Sequence, residues 1–167
     1  SGSLTTWTYS VWAKRGIVGA VSSMDLLDCN DWYGSASVDD LIFNNTDNIV
    51  FNIYSSGDVG MYVTSAVYRD PSAWYHIVFV WDTSNDTATD RMRIYVNGER
   101  VTDFSTSTDP SLNSVSVINR DLQQNIGQQG MGSEYYDGYL AEVHFIDGQA
   151  LDADSFGETD SDTNQWK

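Results

Sequence analysis

Hydrophobic and polar residues alternate with a period of two along most of the chain. In "WTYSVWAK" (7–14), Trp7, Tyr9, Val11 and Ala13 fall on one face and Thr8, Ser10, Trp12 and Lys14 on the other. That is the pattern of a half-buried strand. Three shorter strands are predicted at 41–45, 49–54 and 60–68, separated by "TDN" and "SSGD", which supply turn chemistry. In 74–82 both faces are apolar: Tyr75, Ile77, Phe79 and Trp81 oppose Trp74, His76, Val78 and Val80. Such a strand is central and covered on both sides.

Residues 91–97 place Met92, Ile94 and Val96 inward, and Asn97-Gly98 then closes a tight hairpin, since both residues tolerate positive φ. "SVSVINR" (114–120) and "QQNIG" (123–127) read as further strands. "YLAEVHFIDG" (139–148) is the last, with Tyr139, Ala141, Val143 and Phe145 on one face and Leu140, Glu142, His144 and Ile146 on the other. "DADSFG" offers one helical turn, with Asp152 as N-cap and Gly157 as stop. The stretch 22–40 shows no period and is expected to be irregular, with Trp32-Tyr33-Gly34 in a long loop. Many short strands without a repeat predict an all-β chain, a two-sheet antiparallel β-sandwich with one short helical turn near its C-terminus. The expected organisation is a linker or cloning remnant at 1–6, one sandwich domain at 7–157, and a polar linker at 158–167.

Composition supports that class and narrows the partners. The 167 residues are rich in Val, Ile, Thr, Ser, Tyr and Trp, the residues of pleated, half-buried surfaces, and one domain is the default at this length. Eight basic against 24 acidic residues give a net charge of −16, a field that repels phosphate backbones and anionic headgroups. Nucleic acid is therefore not an expected partner. No apolar stretch is long enough for a membrane helix, so no membrane insertion is expected. Cys29 stands alone, which rules out an intrachain disulfide.

Three segments carry a family resemblance: "WTYSVWAKRG" (7–16), "WYHIVFVWD…RMRIYVNGERVT" (74–102) and "YYDGYLAEVHFIDGQALDADSFGE" (135–158). Together they resemble the concanavalin A-like, laminin G-like jelly rolls. "VWAKRG" and "GYLAEVHFIDGQALDADSFGE" are similar to laminin G-like domains in tail-fibre and other virion structural proteins of tailed, especially marine, bacteriophages. The resemblance covers about half of the chain. It implies a virion-surface, extracellular setting and a non-catalytic domain that binds a host glycan. The alternative is a structural decoration or assembly module whose partners are other virion proteins, with oligomers formed through the parent protein. The family's further strand before the Trp7 segment is missing, which suggests a domain cut from a longer polypeptide.

The chemistry-bearing residues agree with a binding role. Catalytic members of the fold use a Glu-x-Asp-x-x-Glu strand to set two carboxylates about 5 Å apart. Here Glu142 has no acidic partner two or three residues on, and a cluster with His144 and His76 is all that replaces it. Cys29 has no adjacent base and no Gly-x-Ser-x-Gly elbow occurs, so no catalytic residue is expected. Sugar binding needs exposed rings beside amides and carboxylates. Trp32, Tyr33, Tyr135 and Tyr136, with Asn125, Gln128 and Asp137, are the candidates. No cofactor is required, but several relatives bind calcium at the sandwich rim, and Asp82, Asn85, Asp86 and Asp90 share one acidic hairpin connection that offers the oxygens calcium takes.

Overall fold

The computed structural model describes residues 2–20, 22–31, 37–55, 58–130 and 134–167. One sheet of five strands contains β1 (Thr6–Arg15), β6 (Tyr75–Asp82), β7 (Met92–Val96), β8 (Glu99–Arg100) and β11 (Gly138–Asp147), in the order β11-β1-β6-β7-β8. The second, of six, contains β2 (Met24–Asp31), β3 (Ser37–Phe43), β4 (Ile49–Ser55), β5 (Asp58–Thr64), β9 (Phe104–Thr108) and β10 (Gln124–Ile126), in the order β10-β2-β3-β4-β5-β9. Each ladder is antiparallel. Single 3-10 turns occupy Ala88–Asp90 and Ala153–Ser155, the latter where a helical turn was expected.

The two inner faces meet in an aromatic core. Trp7 stacks on Trp81 at 6.4 Å, and Phe51 of the opposite sheet meets Phe79 edge-on at 5.4 Å. The core residues of β1 and β6 are the odd-numbered set that alternation selects. β6 is the middle strand of its sheet, and its outer face is covered as expected: Val78 and Val80 pack with Ala153, Phe156 and Trp166. At the β7–β8 hairpin Asn97 and Gly98 have φ of 49° and 85°, the positive pair that a type I′ turn requires.

Several elements depart from the pattern. Residues 114–120 form no strand. The N–H groups of Val117 and Ile118 donate instead to one carboxylate oxygen of buried Asp39, at 2.6 and 3.0 Å, which replaces a ladder. Within 22–40, Met24–Asp31 is a strand and β3 begins at Ser37; outside it, Phe104–Thr108 is a further strand, on a sheet edge. β11 carries a bulge: Ser10 faces His144 but Trp12 faces Ala141, and Glu142 takes φ 46°. The extra residue swaps faces before it, so Leu140 packs on the core while Tyr139 is exposed.

Residues on both sides of 7–157 make ordered contacts. Leu4 accepts the Trp81 indole N–H. Residues 158–167 form a small hairpin, with Glu158 and Lys167 exchanging backbone hydrogen bonds, and Trp166 anchors it. Its indole N–H donates to His76 Nδ1 at 2.8 Å, so the other imidazole nitrogen carries the proton and donates to Ser10 Oγ at 2.9 Å. Burial, with a smaller contribution from His144, pushes the His76 pKa down to about 4. Thr8 Oγ1, on the same face, donates to Gln149 O and accepts from Leu151 N–H.

Candidate functional site

The strand that alternation misses builds the site. Along β2, Asp25 faces Ile42 and Leu27 faces Leu41, which leaves Leu26 as an extra residue. In a regular strand residues three apart point to opposite faces. The bulge cancels that rule, so Asp25 and Asp28 share the outer face, beside Asp40 of β3. The Leu26 carbonyl, displaced from the ladder, accepts the Tyr9 hydroxyl at 3.1 Å and the Gly127 N–H at 3.3 Å.

Asp28 and Asp40 are direct cross-strand partners, flanked in register by Asn125 of β10 and Asn52 of β4. Asp28 accepts the Gly130 N–H at 2.7 Å and the Asn125 amide at 3.4 Å; Asp40 accepts the Asn52 amide at 3.4 Å. Both oxygens of Asp25 and one each of Asp28 and Asp40 are buried with no hydrogen-bond partner. Asp25 is 1% exposed and Asp28 0%. Burial first, then the charges of Asp40, Asp28 and Glu134, push Asp25 up to about 8. Burial likewise raises Asp28, against the bonds from Gly130 and Asn125, and takes Asp40 to about 7. Ligand atoms of the three carboxylates lie within 4.8 Å of one another, the one such acid, imidazole or thiol group among the described residues. They form an oxygen-only donor set of the kind hard divalent cations take.

A hairpin closes over this face. Gln129 N–H donates to Glu134 O, Tyr136 N–H to Gly127 O, and Gln128 bridges Tyr135. The two tyrosines of this segment part company. Tyr135 is 61% exposed, whereas Tyr136 packs against the core, 6.4 Å from the Phe43 ring. Tyr136 is thus partly buried, and Tyr135 is the exposed ring of the pair. Asn125, Gln128 and Tyr135 are brought to one corner by Asp28 and the hairpin. Asp137 is turned away to the end of β1, where its carbonyl accepts the Gly16 N–H. Trp32 and Tyr33 lie outside the described residues.

The acidic connection after β6 is arranged differently. Asp82 accepts the Ser84 hydroxyl, and Asn85 caps Thr87 N–H. The Arg91 guanidinium takes the Asn85 and Asp86 carbonyls, and Arg100 pairs with Asp90 at 2.6 Å. Asp82, Asp86 and Asp90 are not among the carboxylates that converge. Glu142 and His144 are exposed and 3.6 Å apart; Phe156 stacks on His144 and lies 6.4 Å from buried His76. Cys29 is buried, and burial with the Asp39 charge pushes its thiol up to about 12.

Two further surfaces went unread in the sequence. Trp12, Trp74 and Trp166 line an open cleft of about 450 Å³ with Asn97 and Gln165. The three tryptophans are scattered in sequence, so only folding assembles them. Between the edge strands β10 and β11, an apolar cavity of about 280 Å³ opens against Tyr9, Leu27, Ile126, Val143 and Phe145.

Residues 2–155 match the sequence profile of the concanavalin A-like lectin/glucanases superfamily. No curated protein sequence matches the chain. Among solved structures, it is similar to the carbohydrate-binding module CBM40 of the Ruminococcus gnavus IT-sialidase bound to α2,3 sialyllactose. That likeness has a TM-score of 0.64 at 14% identity, covering 92% of this chain and 80% of the other. A native heptameric SAP-like pentraxin from Limulus polyphemus is similar at TM-score 0.57 and 14% identity, covering 90% and 67%. At such identities the likeness is one of fold.

Proposed function

The chain belongs to the concanavalin A-like lectin/glucanases superfamily, and from that premise we propose that it is a non-catalytic carbohydrate- and receptor-binding domain. Its setting in this proposal is a phage virion surface protein such as a tail fibre, exposed on the outside of the particle. The tail-fibre setting is supported by the "VWAKRG" and "GYLAEVHFIDGQALDADSFGE" segments; the solved structures it resembles come from a bacterial sialidase and a horseshoe crab.

The observation that carries the glycan reading is Tyr135. Its ring is 61% exposed, and its backbone pairs with that of Gln128 in the segment that follows Asn125 of β10. An exposed ring beside amides offers a sugar both a stacking surface and hydroxyl partners. That the sialidase module was solved with sialyllactose bound supports a glycan partner in general. A non-catalytic role is supported by the burial of Asp25 and Asp28 and by the pairing of Glu142 with His144. A hydrolase instead needs two accessible carboxylates about 5 Å apart or more.

A glycan array that includes bacterial surface polysaccharides tests the proposal. Tyr135→Ala is expected to abolish binding while the melting temperature stays put, and Trp74→Ala to leave binding intact. Loss with Trp74→Ala instead moves the site to the Trp12–Trp74–Trp166 cleft. Absence of binding to every glycan leaves the second reading, an assembly module. That reading is favoured by the edge strand β11, which exposes Tyr139, Val143 and Phe145, and sedimentation of the domain as a stable oligomer supports it.

A further inference from the structure

We propose that Asp25, Asp28 and Asp40 bind a hard divalent cation, calcium by preference, which fastens the segment of Gly127 and Gly130 to β2 and β3. This site differs from the acidic connection after β6 and stands whether or not the domain's ligand is a glycan.

The argument starts from unmet demand. Asp25 is 1% exposed, and neither of its oxygens has a hydrogen-bond partner; one oxygen of Asp28 and one of Asp40 are in the same state. A buried carboxylate without partners is among the costliest groups a fold can hold. The charges that act on Asp25 are those of Asp40, Asp28 and Glu134, all of its own sign. Nothing in that set neutralises it.

Geometry supplies the second step. Calcium takes oxygen ligands at about 2.3–2.6 Å, so two ligands on opposite sides of the ion are at most about 5 Å apart. The ligand atoms of the three aspartates lie within 4.8 Å of one another, inside that sphere. Magnesium, with bonds of about 2.0–2.1 Å, admits ligands only to about 4 Å across, so calcium is the ion that accepts the whole of this range. The β2 bulge matters here, since a regular strand would send Asp25 to the core face and leave two carboxylates.

The third step links the site to the hairpin. The Asp28 oxygen that is not orphaned accepts the Gly130 N–H at 2.7 Å, and the bulge carbonyl of Leu26 holds Gly127. A cation that fixes the Asp28 carboxylate therefore fixes the loop that carries Tyr135.

The experiment uses the full chain after chelation, titrated with calcium, magnesium or manganese while heat capacity of binding and melting are followed. One calcium per chain is expected. At a hundredfold excess over its dissociation constant it raises the melting temperature by about 5–10 °C. Asp25→Asn and Asp40→Asn are expected to stay folded, because each removes a buried charge, and to lose the calcium shift. Asp86→Asn, in the connection after β6, is expected to keep it. The proposal is overturned if no cation at millimolar concentration shifts melting, which marks a cluster held together by retained protons. It is equally overturned if Asp86→Asn, and not Asp25→Asn, removes the shift.

Discussion

Besides Asp39, whose oxygens take backbone N–H groups, the sandwich buries carboxylates in two places that it treats in opposite ways. Asp47, in the turn between β3 and β4 at φ 67°, is 1% exposed. One of its oxygens receives Arg15 at 2.8 Å and the Gly19 N–H at 2.7 Å; the other receives Arg69 at 2.7 Å. Burial alone would raise its pKa, but the bonds from Gly19, Arg69 and Arg15 outweigh it and hold the group at about 2. Arg15 also donates to the Tyr68 carbonyl and lies over the face of Phe43, while its Nε has no partner. The Asp25, Asp28 and Asp40 group holds no cationic side chain among the described residues: Asp28 receives the Gly130 N–H and the Asn125 amide, Asp40 the Asn52 amide, and Asp25 nothing. A chain that can pair a buried acid with two arginines in one corner leaves three acids without a counter-charge in another, and this contrast separates a structural clasp from a site that awaits a ligand.

The strongest way to break the comparison is at the clasp. Asp47→Ala strands Arg15 as an uncompensated buried charge, a change that costs about 3–5 kcal/mol. Thermal melting should fall by about 10 °C for a domain of this size. The clasp also sets an acid limit. The folded pKa of Asp47 lies below its ordinary 3.8, so its contribution is complete above that value and is lost as pH falls from about 4 toward 2.

His76 tests the same idea with a base. It is buried neutral, as an acceptor for Trp166 and a donor to Ser10, and its pKa is depressed from 6.5 to about 4. The unfolded chain takes up a proton below pH 6.5 and the folded one does not, so stability falls as pH drops from 6.5 to 4 and then levels off. The loss is on the order of 2–3 kcal/mol. Tryptophan fluorescence during acid titration should report the release of the 158–167 hairpin in that window, and His76→Gln should flatten the response.

The sign reverses at the triad. With chelator present, Asp40→Asn is expected to stabilise the domain by about 1 kcal/mol near pH 8, because it removes one of several like charges from a buried cluster. Denaturant unfolding with and without the substitution measures it. A loss of stability there would show that the carboxylates are already partnered, and the contrast with Asp47 would dissolve.

The sequence signals explain which of these features were legible. β1, β6 and β7 each bury one odd- or even-numbered face in the core, so alternation finds them, and the Asn97-Gly98 turn announces itself by residue type. "MDLLDCND" conceals β2 because the bulge at Leu26 breaks the period, and with it the triad. Only the folded register shows that Asp25 and Asp28 share a face. "SVSVINR" misleads in the other direction: its alternation is real, but Asp39 satisfies the Val117 and Ile118 amides from a distant strand. Polar 158–167 reads as a linker because one residue, Trp166, holds it down.

The smallest expected effect concerns the two arginines of the clasp. They make bonds of nearly equal length to Asp47, yet the Arg15 side chain is 0% exposed and that of Arg69 is 59% exposed. An exposed guanidinium gives up hydration and side-chain freedom for its bond and is screened by salt, so such pairs contribute between zero and about 1 kcal/mol. Arg69→Ala is therefore expected to cost less than about 1 kcal/mol, a loss that shrinks further in high salt. Asp47 keeps Arg15 and the Gly19 N–H, and the acid limit set by the clasp moves up only slightly. If Arg69→Ala proved as damaging as Asp47→Ala, the clasp would depend on its solvent side. Burial would then no longer explain why one acidic corner holds the fold together while the other is left open to a cation.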